Sequence, residues 1–127
     1  MTNYPAGDFL IQIKNAARTN KREISVKSTK YLLEVAKVFE KEGILDGVRS
    51  ESGKLTANIS YHKKEPVLMD LKLVSKPGLR KYMGVDEIKS RKRARSTFLI
   101  LSTPQGVMSS REAYKKNIGG EVIVEIW

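Results

Sequence analysis

The sequence contains no cysteine and only one histidine, His62, among its 127 residues. Without cysteine, the chain can form no disulfide scaffold, thiolate zinc site, iron–sulfur cluster or cysteine nucleophile. A single histidine also makes a histidine-rich metal site or a histidine-based catalytic triad difficult to build. His62 lies in a basic stretch, residues 61–64, as a solvated histidine at a strand end would. We therefore expect no metal and no cofactor.

Long apolar runs are missing as well. The longest runs are short, such as residues 98–101, whereas a bilayer-spanning helix needs about 20 apolar residues. The first residues lack a basic start followed by an apolar stretch, so we expect no signal peptide. The phosphate-loop and dinucleotide-binding glycine patterns are absent. No pair of carboxylates lies in the apolar setting that general acid–base catalysis requires. These absences predict a protein that is not an enzyme, has no small-molecule substrate and does not insert into a membrane.

Positive charge and a sufficient apolar content are what the chain does have. Leu, Ile, Val and Phe make up about a quarter of the sequence, above the roughly one-fifth below which disorder is expected. Lys and Arg number 24 against 14 Asp and Glu, which gives a net charge of +10. Such a field attracts polyanions, so nucleic acid is the first candidate partner, with an anionic membrane surface or an acidic protein as alternatives.

The N-terminal part, residues 1–74, reads as a sheet with two helices on one face. Apolar residues at helical spacing from Phe9 to Ala17 predict the first helix. Ser28 is the expected N-cap of the second helix, and Gly43 is expected to end it in the left-handed conformation. Strands are predicted over residues 23–27, 44–49, 55–61 and 67–74.

The C-terminal part, residues 75–127, reads as mostly β with one short helix. A capping-box spacing from Ser109 to Glu112 predicts that helix over residues 110–117, and Gly119-Gly120 is expected to stop it. Strands are predicted over 98–102 and 121–127. The chain is thus predicted to be an α+β protein of two small domains, 1–74 and 75–127.

Residues 75–80, Ser-Lys-Pro-Gly-Leu-Arg, have the chemistry of a rigid corner. Proline suits position i+1 of a type II turn, and glycine suits position i+2, where φ is positive. Lys76 and Arg80 would stand on either side of this corner and could bracket a phosphate, although a plain solvated loop is the alternative interpretation. Tyr82, just beyond the corner, is the best candidate for stacking on a base.

A dense run of cations follows the corner, consisting of Arg91, Lys92, Arg93 and Arg95. Like charges at this density repel one another unless an anion is bound, which favours phosphate contact over a mobile solvated loop. The two carboxylates before the run, Asp86 and Glu87, are interpreted as part of a solvated turn.

Residues 102–108 are expected to form a polar loop between a hydrophobic strand and the capped helix. Ser102 and Thr103 supply hydroxyls, Gln105 supplies an amide, and Gly106 leaves the backbone open to a ligand. Small donors and acceptors of this kind can read base edges and ribose hydroxyls at an irregular RNA site. The alternative is that the hydroxyls only satisfy backbone groups of the loop itself.

Several spaced motifs together resemble the bacterial small-subunit ribosomal protein eight family along the whole chain. The motifs are Asp8 with Ile13-Lys14-Asn15-Ala16, Glu40-Lys41-Glu42-Gly43-Ile44, Ser75-Lys76-Pro77-Gly78-Leu79-Arg80, Ser102-Thr103 with Gly106-Val107-Met108, Arg111-Glu112-Ala113, Gly119-Gly120-Glu121-Val122 and Trp127. The resemblance implies a structural protein of the cytoplasmic ribosome that binds the central domain of small-subunit ribosomal RNA directly and helps order platform assembly. Small-subunit proteins five and twelve are the implied neighbours.

The resemblance also implies which residues meet the RNA. Ser102, Thr103 and Gly106 would reach the minor groove and bases, and further contacts are implied at Gly119, Gly120, Glu121 and Lys30. Pro104 and Gln105 also lie in the contact loop implied by the resemblance. The sequence departs from the family there, because many relatives have Ser-Lys or a similar pair at these two positions. It departs again over 91–95, where relatives tend to be glycine-rich, and we interpret these added cations as added phosphate contacts. A sequence-tolerant architectural or messenger-regulating protein outside the ribosome, binding DNA or RNA, remains the alternative.

Overall fold

The computed structural model of the chain describes residues 4–94 and 97–127. The chain divides into two compact units: an N-unit, Pro5–Met69, and a C-unit, in which Tyr4 joins residues 70–127. The division falls slightly before the boundary expected at residues 74 and 75. The reason is that residues 71–73 form a strand paired with the last strand of the chain, so this segment belongs to the C-unit.

The N-unit contains two helices and a three-stranded antiparallel sheet with strand order β1-β3-β2, followed by a small hairpin. Its elements are α1 (Pro5–Arg18), β1 (Glu23–Lys27), α2 (Lys30–Lys41), β2 (Leu45–Glu51), β3 (Lys54–Ile59), β4 (Tyr61–His62) and β5 (Glu65–Pro66). The apolar stripes predicted for both helices are buried, namely Phe9, Ile13, Ala16 and Ala17 in α1 and Leu32, Val35, Ala36 and Phe39 in α2.

The ends of α2 show one correction and one confirmation. Thr29, not Ser28, is the N-cap, and its hydroxyl accepts a hydrogen bond of 3.1 Å from the backbone N–H of Leu32. The Ser28 hydroxyl instead lies 2.7 Å from that of Ser50. Gly43 follows the helix with φ of +82°, as the sequence predicts.

The C-unit is built on a five-stranded antiparallel sheet with order β6-β10-β8-β9, in which β7 also pairs with β10. Its elements are β6 (Leu71–Leu73), β7 (Tyr82–Met83), α3 (Val85–Ala94), β8 (Phe98–Thr103), β9 (Gly106–Ser109), α4 (Ser110–Lys116) and β10 (Gly120–Ile126). A cluster of buried side chains joins the two helices to this sheet, consisting of Ile88, Leu99, Leu101, Met108, Ala113 and Val122. The α+β class predicted from the sequence is confirmed.

Helix α3 corrects the expectation of a single helix in the C-terminal part. Asp86 and Glu87, interpreted above as part of a solvated turn, lie in its first turn, where carboxylates interact favourably with the positive end of the helix dipole. Among the α3 side chains that the structure describes, residues 85–90, Ile88 alone is buried in the core, and the sequence of the helix lacks the apolar periodicity by which helices are recognised.

The borders of α4 are set by residues at both of its ends. Ser109 is its N-cap, and the Ser109 hydroxyl accepts from the backbone N–H of Glu112 at 3.3 Å, which confirms the predicted cap. The helix ends at Asn117, whose φ is +60°, and not at the two glycines, of which Gly119 precedes β10 and Gly120 is its first residue.

Candidate nucleic-acid interface

Three segments that are distant in sequence meet at the start of β10. Glu121 lies directly opposite Tyr82 of β7 on one side and directly opposite Ser102 of β8 on the other. Because directly opposite residues share one face of a sheet, these three side chains form a single row, which we call the β7–β10–β8 row. Tyr82 is 68% exposed, whereas Ser102 and Glu121 are half-buried. The register therefore brings together three residues that the sequence analysis proposed separately.

The corner before β7 has the geometry expected from its sequence. Lys76 and Leu79 exchange two backbone hydrogen bonds of 3.0 and 2.9 Å around Pro77-Gly78. Gly78 has a φ of +80°, which confirms the positive φ predicted for position i+2 of a type II turn. Both predicted cations of the corner, Lys76 and Arg80, are exposed.

Arg80 connects this corner to the β7–β10–β8 row. Its Nη1 donates to Oε2 of Glu121 at 3.1 Å, and this hydrogen bond, together with the carboxylate charge, raises the pKa of Arg80. This ion pair favours the binding of a polyanion, because an unpaired Glu121 carboxylate in the row would repel phosphate. With one edge of its guanidinium used by Glu121, Arg80 still has further N–H groups that can donate to a ligand.

A buried clamp, which the sequence analysis did not identify, holds the base of the corner closed. Ser75 is fully buried; its hydroxyl accepts from the backbone N–H of Lys81 at 2.9 Å and donates to the Lys81 carbonyl oxygen at 3.2 Å. The hydroxyl of Tyr4 in turn donates to the carbonyl oxygen of Ser75 at 2.8 Å. Burial raises the pKa of Tyr4, the charge of Arg80 lowers it, and the charge of Glu121 raises it further. Nothing in the sequence near Tyr4 signals this role, because the contact is formed only by the fold.

The segment expected to be a polar loop is a tight β-hairpin. Thr103 at the end of β8 pairs with Gly106 at the start of β9, and Pro104-Gln105 form the exposed tip. The loop prediction was wrong because residues 106–109 form a strand before α4 begins. Gly106 has a φ of +113°, a conformation that essentially only glycine adopts.

The two hydroxyls of this hairpin have different surroundings. Oγ1 of Thr103 donates to the carbonyl oxygen of Gly106 at 2.7 Å and accepts from the N–H of Gln105 at 3.1 Å. It therefore shapes the turn, which is the alternative interpretation given above. The Ser102 hydroxyl has no hydrogen-bond partner within the part of the chain that the structure describes, so it is available to a ligand.

The glycine pair before Glu121 serves close packing. A Cβ atom on Gly119 would overlap the carbonyl oxygen of Met83, and one on Gly120 would overlap the carbonyl oxygen of Ser102. The pair therefore lets β10 begin between β7 and β8 with no side chain pushing these strands apart. Both glycines position the row.

The remaining predicted contact residues lie elsewhere. Arg91, Lys92 and Arg93 belong to the C-terminal half of α3, and Arg95 lies outside the described residues. Lys30 is the first residue of α2 and is exposed on the N-unit. The β7–β10–β8 row thus brings together only some of the predicted RNA-contact residues.

Two features of residues 4–94 and 97–127 bear on metal and membrane chemistry. There, no group of three or more histidine and acidic side chains could hold a metal ion. No helix in those ranges is long and apolar enough to cross a bilayer.

Exposed cations, an exposed tyrosine and a polar turn on one antiparallel sheet are typical of proteins that bind nucleic acid.

Comparison with known proteins identifies the family. Residues 5–127 match the family model described as ribosomal protein S8. Small ribosomal subunit protein uS8 of Nitratidesulfovibrio vulgaris strain DP4 is 37% identical over 127 residues, covering 100% of both chains. The uS8 proteins of Acidobacterium capsulatum and Anaeromyxobacter sp. strain Fw109-5 are 36% and 39% identical, each covering 97% of this chain and 96% of the relative. The chain belongs to the ribosomal protein S8 family, and it is a structural ribosomal protein and not an enzyme.

Proposed function

We propose that this protein binds small-subunit ribosomal RNA directly, in its central domain, and helps to order assembly of the subunit platform in the cytoplasm. Small-subunit proteins five and twelve are its proposed neighbours. The observation that carries the RNA proposal is the β7–β10–β8 row, where Tyr82 and Ser102 flank Glu121 beside the Arg80 corner. The printed name of the relatives, small ribosomal subunit protein, supports the choice of subunit.

Affinity in this proposal comes from phosphate contacts. Lys76 and Arg80 stand on a corner that two backbone hydrogen bonds and the buried Ser75 clamp already hold closed, so little entropy is lost when they bind. The cations of residues 91–95 add further phosphate contacts, and Lys30 adds a second contact from the N-unit.

Specificity in this proposal comes from the hairpin tip and from Tyr82. The minor groove of an A-form helix is wide and shallow, so the exposed Pro104-Gln105 tip can enter it, with the Ser102 hydroxyl donating to a base edge or ribose. An unpaired base of an internal loop can stack on the exposed Tyr82 ring. A fully paired helix offers no such base, which predicts a preference for distorted RNA.

Titration of one RNA helix in three forms tests this proposal at fixed salt. The forms are a helix with an internal loop, the same helix fully paired, and the matching DNA duplex. We expect the internal-loop RNA to bind about tenfold more tightly than either paired form, since stacking of one base contributes about 1–3 kcal/mol. Substitution Tyr82→Leu should remove most of this preference, whereas Ser25→Ala on the N-unit should not change it. Equal affinity for all three forms would contradict the proposal and favour sequence-tolerant binding.

A further inference from the structure

The N-unit contains a cavity of about 690 Å³ that takes no part in the function proposed above. It is lined by Asn20, Arg22, Asn58, Ile59, Tyr61 and Lys64. Its volume lies within the range of about 300–1,000 Å³ that small-molecule and nucleotide sites occupy. In the β1–β3 strand pair, Asn58 lies opposite Glu23, the first residue of β1. Lys54 lies opposite Lys27, the last residue of β1. The cavity therefore lies at the end of the sheet opposite the Lys27–Lys54 pair.

One wall of the cavity carries a costly backbone conformation. The hairpin of β4 and β5 has a two-residue turn, Lys63-Lys64, with φ values of +52° and +70°. A turn that needs positive φ at both positions usually contains Asn-Gly or Gly-Gly, because other residues adopt this conformation at a cost in free energy. Backbone strain of this kind is concentrated at functional sites. In this hairpin the short, stiff turn holds Lys64 at the cavity.

The two cations of the cavity, Arg22 and Lys64, form no ion pair with a described residue. Glu23, the neighbour of Arg22 in sequence, is already bonded to Arg49 at 3.0 Å. An anion that enters the cavity therefore meets two available cations.

The other walls suit a nucleobase. The Tyr61 hydroxyl donates to the carbonyl oxygen of Lys21 at 2.6 Å, which fixes the position of the ring, and the largely buried Ile59 also lines the cavity. Asn20 and Asn58 contribute carboxamides, each of which both donates and accepts hydrogen bonds. A ring, two carboxamides and two cations match the base, the base edge and the phosphate of one nucleotide.

We propose that this cavity is a further RNA site, distinct from the β7–β10–β8 row and from Lys30, that takes one nucleotide of a single-stranded segment. The phosphate lies between Arg22 and Lys64, and the base packs against Tyr61. Lys21 and Lys63 are exposed, adjacent in sequence to the two cavity cations, and available to the neighbouring phosphates of the strand. A strand is favoured over a free nucleotide because these flanking charges lie outside the cavity lining. The site is independent of the C-unit row.

Titration of the isotope-labelled full chain with a single-stranded RNA pentamer at low salt tests this inference by NMR. We expect chemical-shift changes at Arg22, Tyr61 and Lys64. The double substitution R22Q/K64Q should weaken binding at least about tenfold, because two phosphate contacts are lost. The matched double substitution K27Q/K54Q removes the same charge from the other end of the same sheet and should weaken binding less than about twofold.

The substitution Tyr61→Leu separates the base contact from the charge contacts, and we expect it to weaken binding about tenfold. Three outcomes would overturn the inference: shift changes confined to the C-unit, equal weakening by the two double variants, or a free mononucleotide that binds as tightly as the pentamer. Because the internal-loop helix probes the C-unit row, failure of the pentamer experiment would leave the result of that titration untouched.

Discussion

The phenol of Tyr4 donates a hydrogen bond to the carbonyl oxygen of Ser75, which lies 71 residues further along the chain. The hydroxyl of Ser75 then holds both backbone groups of Lys81, so the segment from 75 to 81 is closed on itself beneath the exposed corner. The corner that presents Lys76 and Arg80 is thus positioned by a residue near the start of the chain.

Substitution Ser75→Ala should destabilise the C-unit by about 1–3 kcal/mol, because Ser75 is fully buried and the Lys81 N–H loses the hydroxyl that accepts its hydrogen bond. The measurement is urea unfolding followed by the fluorescence of Trp127, the single tryptophan, which lies in the C-unit. Ser25→Ala, at an exposed position of β1, should change stability by less than about 0.5 kcal/mol. Equal effects of the two substitutions would show that the clamp does not contribute to the free energy of unfolding.

Substitution Tyr4→Phe should change how stability depends on pH. The folded state raises the pKa of Tyr4 above its ordinary value of 10.0, so the native protein retains this proton more strongly than the unfolded chain. The stabilisation from Tyr4 is therefore fully present below pH 10 and is lost as pH rises through the folded-state pKa. Unfolding measured at about pH 8 and about pH 11 should show a wild-type advantage over the variant that shrinks at the higher pH. A constant difference would contradict this assignment.

Substitution Gly120→Ala should destabilise the C-unit by about 1–3 kcal/mol, because the new methyl group would overlap the backbone of Ser102 and Thr103. It should also weaken binding of the internal-loop RNA, since β8 and its hairpin tip must shift. Gly84→Ala is the matched control, because a Cβ there meets no atom closer than 4.0 Å, and its effect should stay below about 0.5 kcal/mol. Comparable losses at both glycines would contradict the packing argument.

Two substitutions of Thr103 test whether its hydroxyl group is what the turn and RNA binding require. Thr103→Val removes the hydroxyl that bonds both Gly106 and Gln105, so it should cost about 1–3 kcal/mol of stability and weaken RNA binding. Thr103→Ser keeps the hydroxyl and should retain affinity within about twofold. The measurement is the internal-loop titration with both variants. If Ser weakens binding as much as Val does, the hydroxyl is not the group that matters.

Replacement of Arg91, Lys92, Arg93 and Arg95 with glutamine should weaken RNA binding evenly across RNA sequences. Each phosphate contact contributes about 0.7–0.9 to the slope of log affinity against log salt, so loss of four contacts should flatten that slope by about three. The measurement is a salt series with internal-loop and fully paired RNA. An unchanged slope would mean that these cations do not bind phosphate.

Features governed by local chemistry could be predicted from the sequence. The positive φ of Gly43 and Gly78 and the cap at Ser109 each depend on a few adjacent residues, and all three are confirmed. The burial of the α1 and α2 stripes follows from helical periodicity in the same way. The resemblance to the family rests on motifs of this local kind, and the family is confirmed as well.

Features that depend on distant pairing could not be predicted. Ile88 is the single buried apolar residue among the described side chains of α3, residues 85–90, and the sequence of this helix shows no apolar periodicity that would predict it. Strand β9 could not be predicted because its conformation depends on pairing with β8. The alignment of Tyr82, Glu121 and Ser102 depends on strand register, which no segment encodes alone. The bond from Tyr4 to Ser75 joins positions that only the finished fold brings together.

The most direct test of the central claim is crosslinking of the protein to RNA in cells, followed by a high-salt wash and sequencing of the attached RNA. We expect crosslinks to concentrate in the central domain of small-subunit ribosomal RNA, and we expect Arg80→Gln combined with Tyr82→Leu to deplete them. Crosslinks spread evenly over cellular RNA, and unchanged by those two substitutions, would contradict that claim.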